Sequence, residues 1–377
     1  MAGIEGDVWK EERDRSEDPK REPGPININR YVANAQAHAG IATFMGAPVC
    51  VTPDDLKAGK VDVAIIGAGL DLSVGQRGTA FGPRAVRNAE RYLPSGPLAH
   101  ALATHTHVMI KPFDIMKCVD YGDAGVDPFD AEASHEEVRK RVREIVDAGA
   151  FPIIIGGDHS LMRPDGMALA DVYGKGNIGV IHFDAHYDAS DANYGHHITH
   201  GTPVRRLIED GFVDGKNFIQ VGLRGFAPFE EDMAWMRDKG IRSHYMAEVE
   251  RDGFEKVMER ALAEAMDGAD HLLISFDIDS LDPAYAPGTG TPEPGGLTTR
   301  EAFPIVRRLC AEAPVVGFEL VEVAPGWDPG YTTPLNGLRI IQEAITGMAM
   351  RKEGLTEPHY LDKRTSGRDP VPGQVAD

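Results

Sequence analysis

Short apolar runs alternate with amphipathic stretches through the middle of the chain, and this alternation predicts the fold. Near-continuous apolar runs of strand length are typical of strands that a parallel sheet buries on both faces. The predicted strands lie at Val63–Ala68, Pro152–Ile155, Ile178–Phe183, Phe218–Val221, Leu272–Phe276 and Val315–Leu320. Two of these runs, Ile178–Phe183 and Leu272–Phe276, are followed directly by clusters of acidic residues.

The stretches between these runs have helical features. Ser134 and Glu137 have the spacing of a capping box, as do Thr298 and Glu301. Helices are predicted over His135–Ala148, Phe254–Met266 and Thr299–Ala311. Alternation of strands and helices predicts an α/β fold, a three-layer α/β/α sandwich around a parallel sheet, whose ligands bind beyond the carboxyl ends of the strands.

The two ends of the chain differ from its middle. Residues 1–34 are charged and without clear periodicity, which predicts an N-terminal arm that is flexible or docks on a neighbour. Residues 35–352 show no linker and no repeat, so we expect one catalytic domain. Residues 353–377 are predicted to form a polar C-terminal tail.

Composition excludes several classes of partner. The net charge of −20 over 377 residues argues against nucleic acid and against anionic membrane surfaces. No apolar stretch approaches the roughly 18 residues that span a bilayer, and the charged N-terminus shows no secretory signal. The cysteines Cys50, Cys118 and Cys310 are scattered and odd in number, which favours a reducing, cytoplasmic location.

Two aspartates, Asp277 and Asp279, stand one residue apart at the end of an apolar run. Because strand side chains alternate faces, residues i and i+2 are expected to aim at one point past the strand. Two carboxylates that share a site repel each other unless a proton or a cation lies between them. This pair therefore predicts half of a metal site.

A second cluster, Asp184, His186 and Asp188, repeats the same spacing after another apolar run, and His159 follows a third. Together the clusters supply four carboxylates and two imidazoles, which suits two divalent ions bridged by carboxylates. Oxygen-rich ligands with some imidazole favour Mn²⁺ over Zn²⁺. The alternative interpretation is that these residues form solvated acidic loops. The position of the clusters directly after buried strands argues against this alternative.

Two glycine-containing motifs are less specific. Gly67 and Gly69 follow a strand, but Leu72 stands where a dinucleotide-binding motif has its third glycine, so a tight turn is the better interpretation. The segment Arg77–Arg84 is predicted to enter a helix through Pro83. Whether this segment is structural or rims the active site is left open by its residues.

Several motifs in the same order resemble the ureohydrolase (arginase/agmatinase) family, over about Asp62 to Ala349. They are Gly156–Ser160, Phe183–Asp188, Ser275–Pro283 and Gly288–Gly296. In pattern they are closest to agmatinase- and guanidinobutyrase-like guanidino hydrolases. The resemblance implies a sheet of about eight strands, a homo-oligomer (trimer or hexamer), and hydrolysis of a guanidino group with release of urea. It implies two divalent ions, Mn²⁺ or Ni²⁺.

The resemblance also implies a role for each site residue. One ion would be held by His159, Asp184, Asp188 and Asp277, and the other by Asp184, His186, Asp277 and Asp279. His200 matches the histidine that shuttles protons, and Glu322 matches the carboxylate that pairs with the guanidinium. Asp188 could also accept a hydrogen bond from the attacking hydroxide, so it is counted with the catalytic residues.

The identity of the substrate is less determined. The loop 189–199, which contacts the substrate tail in this family, carries no Lys or Arg, so a carboxylate tail would lack a cationic partner there. A small cationic guanidino compound is expected, with free or substituted guanidine as further options. Two alternatives stay open: a formiminoglutamate-type amidine hydrolase, and a metal-binding, non-catalytic subunit of a hetero-oligomer. Glu319 stands where the family commonly has Asp.

Overall fold

The computed structural model describes residues 20–28, 40–92, 103–226 and 228–366. These residues form an eight-stranded parallel sheet in the order β2-β1-β3-β8-β7-β4-β5-β6. The strands are β1 Val63–Ala68, β2 Cys118–Asp123, β3 Phe151–Gly156, β4 Ile178–Phe183, β5 Phe218–Leu223, β6 Arg242–Tyr245, β7 His271–Asp277 and β8 Val315–Val321. The predicted fold, a parallel sheet in a three-layer α/β/α sandwich, is confirmed.

Helices cover both faces of the sheet. Those of the described chain are α1 Pro53–Gly59, α2 Gly82–Asn88, α3 Pro112–Ile115, α4 Ala131–Asp147, α5 Met162–Tyr173, α6 Pro203–Glu209, α7 Glu230–Lys239, α8 Met246–Asp252, α9 Phe254–Ala265, α10 Thr299–Glu312 and α11 Thr332–Lys352. Strand residues alternate between the two layers: Ile65 joins the core shared with α9, α10 and α11, whereas Ile66 joins the core shared with α4. Side chains of one strand therefore anchor both layers.

All six predicted runs are strands, and the two strands that were not predicted lie at the sheet edges. Strand β6 has the sequence Arg242-Ser243-His244-Tyr245, in which His244 is buried and the two terminal residues are exposed. Strand β2 is fully covered only in its centre. An edge strand is paired on one side only, so it needs no continuous apolar run and escapes a search for one.

Helix α4 begins one turn earlier than its capping box predicted. Asp130 is the N-cap, and its side chain accepts a hydrogen bond from the Ala133 N–H. The Ser134 hydroxyl instead bonds with both backbone groups of Asp127. The predicted box was wrong because an acidic cap with a free N–H partner lay one turn upstream.

The sheet order brings the predicted site together. Strands β3, β8, β7 and β4 are consecutive neighbours in the middle of the sheet, although they are distant in sequence. Registers such as Phe276 opposite both Phe183 and Leu320 hold their carboxyl ends level. The polar residues that follow these strands consequently meet at one edge.

Parts of both chain ends contact the domain. Of the predicted arm, residues 20–28 are described, and Arg21 forms a bidentate pair with Asp55 at 2.8 and 2.9 Å, while Ile26 pairs with Val49. Residues 1–19 and 29–34 lie outside the described part, as do residues 367–377 of the tail. No helix in the described residues is long and apolar enough to cross a membrane.

A buried histidine between α4 and α5 makes stability depend on pH. Burial lowers the pKa of His135 to about 3, and the nearby Arg163 acts in the same direction. Below pH 6.5 the unfolded chain takes up a proton that the folded chain refuses, so folding is progressively destabilised as pH falls toward 3.

We expect the stability gap between the wild type and His135→Gln to narrow by up to ~1.4 kcal/mol per pH unit below 6.5. Urea-unfolding midpoints at pH 7.5, 6.5 and 5.5 measure this gap, with His197→Gln, at an exposed ring, as the control substitution. A gap independent of pH would contradict the assignment.

Candidate active site

Asp277 and Asp279 meet at the site, but strand alternation is not the reason. Asp277 is the last residue of β7, whereas Asp279 lies in a 3₁₀ turn over Ile278–Ser280. Asp277 Oδ1 accepts a hydrogen bond of 2.8 Å from the Asp279 N–H, which tightens the turn. Both carboxylates are buried. The sequence analysis correctly predicted that the two side chains lie close together, but it assumed an extended strand where the structure has a 3₁₀ turn.

The second cluster also lies beyond its strand. Asp184 follows β4 directly, and Asp184 Oδ1 accepts a hydrogen bond of 2.6 Å from the His186 N–H. Asp188 has a positive φ of 45°, a conformation that non-glycine residues adopt rarely and that is enriched at functional sites. The irregular backbone, rather than a pleated strand, turns these side chains toward the sheet edge.

His159 is the centre of the first group of side chains. Its Nδ1 atom lies 2.9 Å from Asp184 Oδ2, 3.1 Å from Asp277 Oδ2 and 3.2 Å from Asp188 Oδ2. Its Nε2 atom shares a hydrogen bond of 2.8 Å with Ser275 Oγ, which fixes the ring orientation. One imidazole nitrogen and three carboxylate oxygens therefore converge on a buried point.

The second group adjoins the first through Asp184. His186 Nδ1 lies 3.1 Å from Asp279 Oδ2 and 3.5 Å from Asp184 Oδ1. Thr291, from the loop that follows β7, donates a hydrogen bond of 3.2 Å to Asp279 Oδ2. Since Asp184 contributes a different oxygen to each group, its carboxylate can bridge two neighbouring positions.

The donor atoms of these groups fit metal ions. His159 Nδ1 and Asp184 Oδ2 are buried and have no hydrogen-bond partner within the described chain, although both belong to the convergent cluster. Buried polar atoms without partners are costly, and a divalent cation would satisfy them together. Carboxylate oxygens with imidazole nitrogen form a ligand set for such a cation.

The acidic residues also control the protonation of the histidines. Burial lowers the pKa of His186, but Asp279 and Asp184 together raise it to about 12. Burial also lowers the pKa of His159, but the neighbouring carboxylates outweigh burial and raise this pKa well above the ordinary value. Burial and the adjacent charges raise the pKa of Asp277. Without a cation the cluster therefore retains protons that a metal ion would displace.

Two buried polar residues near His159, His182 and Asp165, were missed by the sequence analysis, and Glu319 was noted there only as a departure from the family pattern. His182, inside β4, places Nε2 2.9 Å from Asp184 Oδ2. Glu319, inside β8, lies 3.9 Å from His159 Nε2, and its carboxylate raises the pKa of the buried Asp165 after the larger effect of burial. The sequence did contain a signal for each of these residues, because each is a polar residue within an otherwise apolar strand or helix face.

His200 and Glu322 lie side by side in the structure. His200 Nδ1 is 3.2 Å from Glu322 Oε1, which also accepts a hydrogen bond of 3.0 Å from the His159 N–H. Burial lowers the pKa of His200, but the hydrogen bond and charge of Glu322 raise it to about 9. The Val74 N–H donates to His200 Nε2 at 3.1 Å, so a second proton on this ring requires Val74 to move away.

The loop after β1 is hydrogen-bonded to the loops that follow β7 and β8. The Gln76 N–H donates a hydrogen bond of 3.1 Å to the Gly290 carbonyl, on the loop that also carries Thr291. Trp327 Nε1, after β8, donates to the Arg77 carbonyl at 2.9 Å. Loops from three strands are thus joined around the opening.

A parallel α/β sheet with histidines and carboxylates gathered at its carboxyl edge defines the class of protein: an enzyme scaffold with a candidate metal centre. The model of the Arginase family matches residues 61–347. This match covers more than half of the chain, and the chain belongs to that family. The predicted ureohydrolase membership is confirmed.

Individual relatives support the same placement. Guanidinopropionase from Pseudomonas aeruginosa is 37% identical over 328 residues, which cover 87% of this chain and 96% of the relative. The mitochondrial agmatinase of Gallus gallus is 37% identical over 330 residues, covering 87% and 91%. The structure of proclavaminate amidinohydrolase from Streptomyces clavuligerus superposes with a TM-score of 0.73 at 32% identity, covering 84% and 99%. The predicted class, a hydrolase of non-peptide C–N bonds in linear amidines, is confirmed at the level of the family.

Metal binding at the clustered histidines should release protons. Because the neighbouring carboxylates raise the pKa of both imidazoles, we expect one or more protons to leave on loading with Mn²⁺ at pH 7.5. Titration calorimetry in buffers of different ionisation enthalpy measures this number. His186→Ala should release about one proton fewer. Binding heats that are identical in all buffers would contradict the assignment.

Proposed function

We propose that this protein is a dinuclear-metal guanidino hydrolase that cleaves a C–N bond of a guanidino compound and releases urea and an amine. The reaction class is supported by membership of the Arginase family and by the similarity to guanidinopropionase and to an agmatinase. In the balanced reaction, water adds its oxygen to the carbon of the guanidinium, the bond to the substituted nitrogen breaks, and both protons of water leave with that nitrogen, so the products are urea and a protonated amine.

The observation that carries the proposal is a carboxylate oxygen of Glu322 that is free to accept a hydrogen bond. Its Oε1 is occupied by His159 and His200, whereas its Oε2 is buried and has no hydrogen-bond partner in the described chain. Glu322 has a positive φ of 63°, so its backbone is held in a rare conformation beside the acidic cluster. A guanidinium, a planar cation with several N–H donors, is the complement of such a carboxylate.

The metal ligands are assigned as the sequence predicted. His159, Asp184, Asp188 and Asp277 would hold one ion, and Asp184, His186, Asp277 and Asp279 would hold the other. When bound, such ions lower the pKa of water enough for hydrolysis at neutral pH. Asp188 would orient the water by accepting its hydrogen bond, and Glu322 would hold the guanidinium with its carbon facing that water.

His200 is assigned to proton transfer. The ring lies beside Glu322 and so would lie beside the leaving nitrogen. A departing amine must gain a proton, and an imidazole at hydrogen-bond distance suits that task. Because Val74 occupies Nε2 in this conformation, protonation of the ring and displacement of the loop that carries Val74 are expected to occur together.

Further parts of the proposal concern the cell and the assembly. Mn²⁺ is proposed as the native metal, with Ni²⁺ as the second choice, since the donor set is rich in oxygen. A homo-oligomer, a trimer or a hexamer, and a cytoplasmic location are proposed on family resemblance and on composition.

The direct test is urea release after reconstitution with Mn²⁺ or Ni²⁺. A panel should contain agmatine, 3-guanidinopropionate, 4-guanidinobutyrate, guanidine and formiminoglutamate. Urea from at least one guanidino compound is expected. Turnover of formiminoglutamate alone would support the amidine-hydrolase alternative, and full metal occupancy without any turnover would support the non-catalytic subunit.

The two aspartates of β7 and its 3₁₀ turn should differ when mutated. Asp277→Ala is expected to abolish binding of two metals, because this carboxylate is assigned to both ions. Asp279→Ala should mainly empty one position and leave the other partly filled. Metal content per subunit after gel filtration, measured by inductively coupled plasma mass spectrometry, distinguishes them. Equal loss of both metals in the two variants would contradict the bridging assignment.

A further inference from the structure

A cavity of about 570 Å³ opens beside His200, a volume in the range of small-molecule sites. Val74 and Thr199 line it. Val74 donates to His200 Nε2, and Thr199 precedes His200 in the chain. The cavity therefore begins where a guanidinium held by Glu322 would project the rest of the substrate.

The charged groups that line this cavity are positive rather than negative. Among the described residues that line it, none is Asp or Glu, and the permanent cation is Arg77. His196 adds a group that is either neutral or positive. A tail ending in an ammonium would find no carboxylate here, whereas a tail ending in a carboxylate would find a guanidinium.

Arg77 is available for such a tail. Its Nη1 atom donates to the Asp71 carbonyl at 2.7 Å, while Nε and Nη2 have no partner within the described chain. The Asp71 carboxylate lies 4.0 Å away and accepts from the backbone N–H groups of Ser73 and Gly78 instead. Trp327 holds the Arg77 carbonyl, so the backbone is fixed while part of the guanidinium stays open.

Apolar surface lies along the same cavity. Phe129 and Tyr194 both line it and are 97% and 90% exposed, respectively. Exposed aromatic rings around a cavity offer contact area to methylene groups. The lining thus combines an apolar wall with a single cationic group, which matches a short alkyl chain that ends in an anion.

We propose that Arg77 is a specificity-determining residue and that the substrates of this site are ω-guanidino carboxylic acids, whose carboxylate pairs with Arg77. This inference rests on the proposed function and narrows its substrate class. It also revises the expectation drawn from loop 189–199, because the cationic partner comes from the loop after β1.

The test compares three compounds that share the guanidino group and differ at the end of the tail: 4-guanidinobutyrate, agmatine and 1-butylguanidine. The Mn²⁺-loaded wild type is expected to prefer 4-guanidinobutyrate. In Arg77→Met its KM should rise about three- to tenfold, since the exposed guanidinium is partly screened by water. The kcat/KM for 1-butylguanidine should stay within about twofold, and Arg77→Lys should restore part of the loss.

Two measurements keep the inference separate from the proposed function. Arg237→Met, which removes an exposed arginine on α7, is the matched control and should leave all three substrates unaffected. If no compound is turned over, the proposed hydrolase function is wrong. The role of Arg77 is then tested by comparing, in a calorimeter, the binding of 4-guanidinobutyrate to the wild type and to Arg77→Met. A preference for agmatine, or an equal effect of Arg77→Met on all three compounds, would overturn the role of Arg77.

Discussion

Electrostatic repulsion among buried carboxylates is the constraint on which the site depends. Asp184, Asp188 and Asp277 approach a single imidazole nitrogen of His159 within 3.2 Å, in a place that water barely reaches. Like charges at this distance need a proton or a cation between them. The raised pKa values of His159 and His186 favour protons in that position, and metal ions would replace those protons. Metal binding and the protonation state of the cluster are therefore one equilibrium.

The sheet holds these charges in place against their repulsion. Four central strands end level with one another, and their apolar residues pack into helices on both faces. The proposed metal ligands lie just beyond the strands, in turns whose backbone N–H groups bond to the same carboxylates. Positive φ angles at Asp188 and Glu322 show where the backbone departs from ordinary geometry, and the surrounding core stabilises that departure.

Binding of the guanidino group and selection of the substrate are assigned to different parts of the fold. The buried Glu322 follows a central strand and is rigidly placed, whereas the proposed partner of the tail, Arg77, lies on an exposed loop. Loops tolerate sequence change better than strands do. Relatives within one family can consequently keep the reaction while their substrates differ. The contact between Val74 and His200 links the two parts, because the loop that carries Arg77 also touches the ring assigned to proton transfer.

The sequence by itself determined the strand–helix alternation, the six central strands and the edge of the sheet where the acidic motifs gather, because buried parallel strands require continuous apolar runs and these motifs follow them directly. It did not determine the edge strands, whose half-exposed positions require no such run. Only the tertiary structure decided how Asp277 and Asp279 meet, since a 3₁₀ turn replaces the expected strand. It also decided which polar groups surround His159. Glu319 on β8 lies near His159, which follows β3, and near Asp165 on α5 only because the fold brings these elements together. The charge of the cavity beside His200 was also decided by the tertiary structure, because Arg77 and Tyr194 both line it although they are more than a hundred residues apart in the sequence.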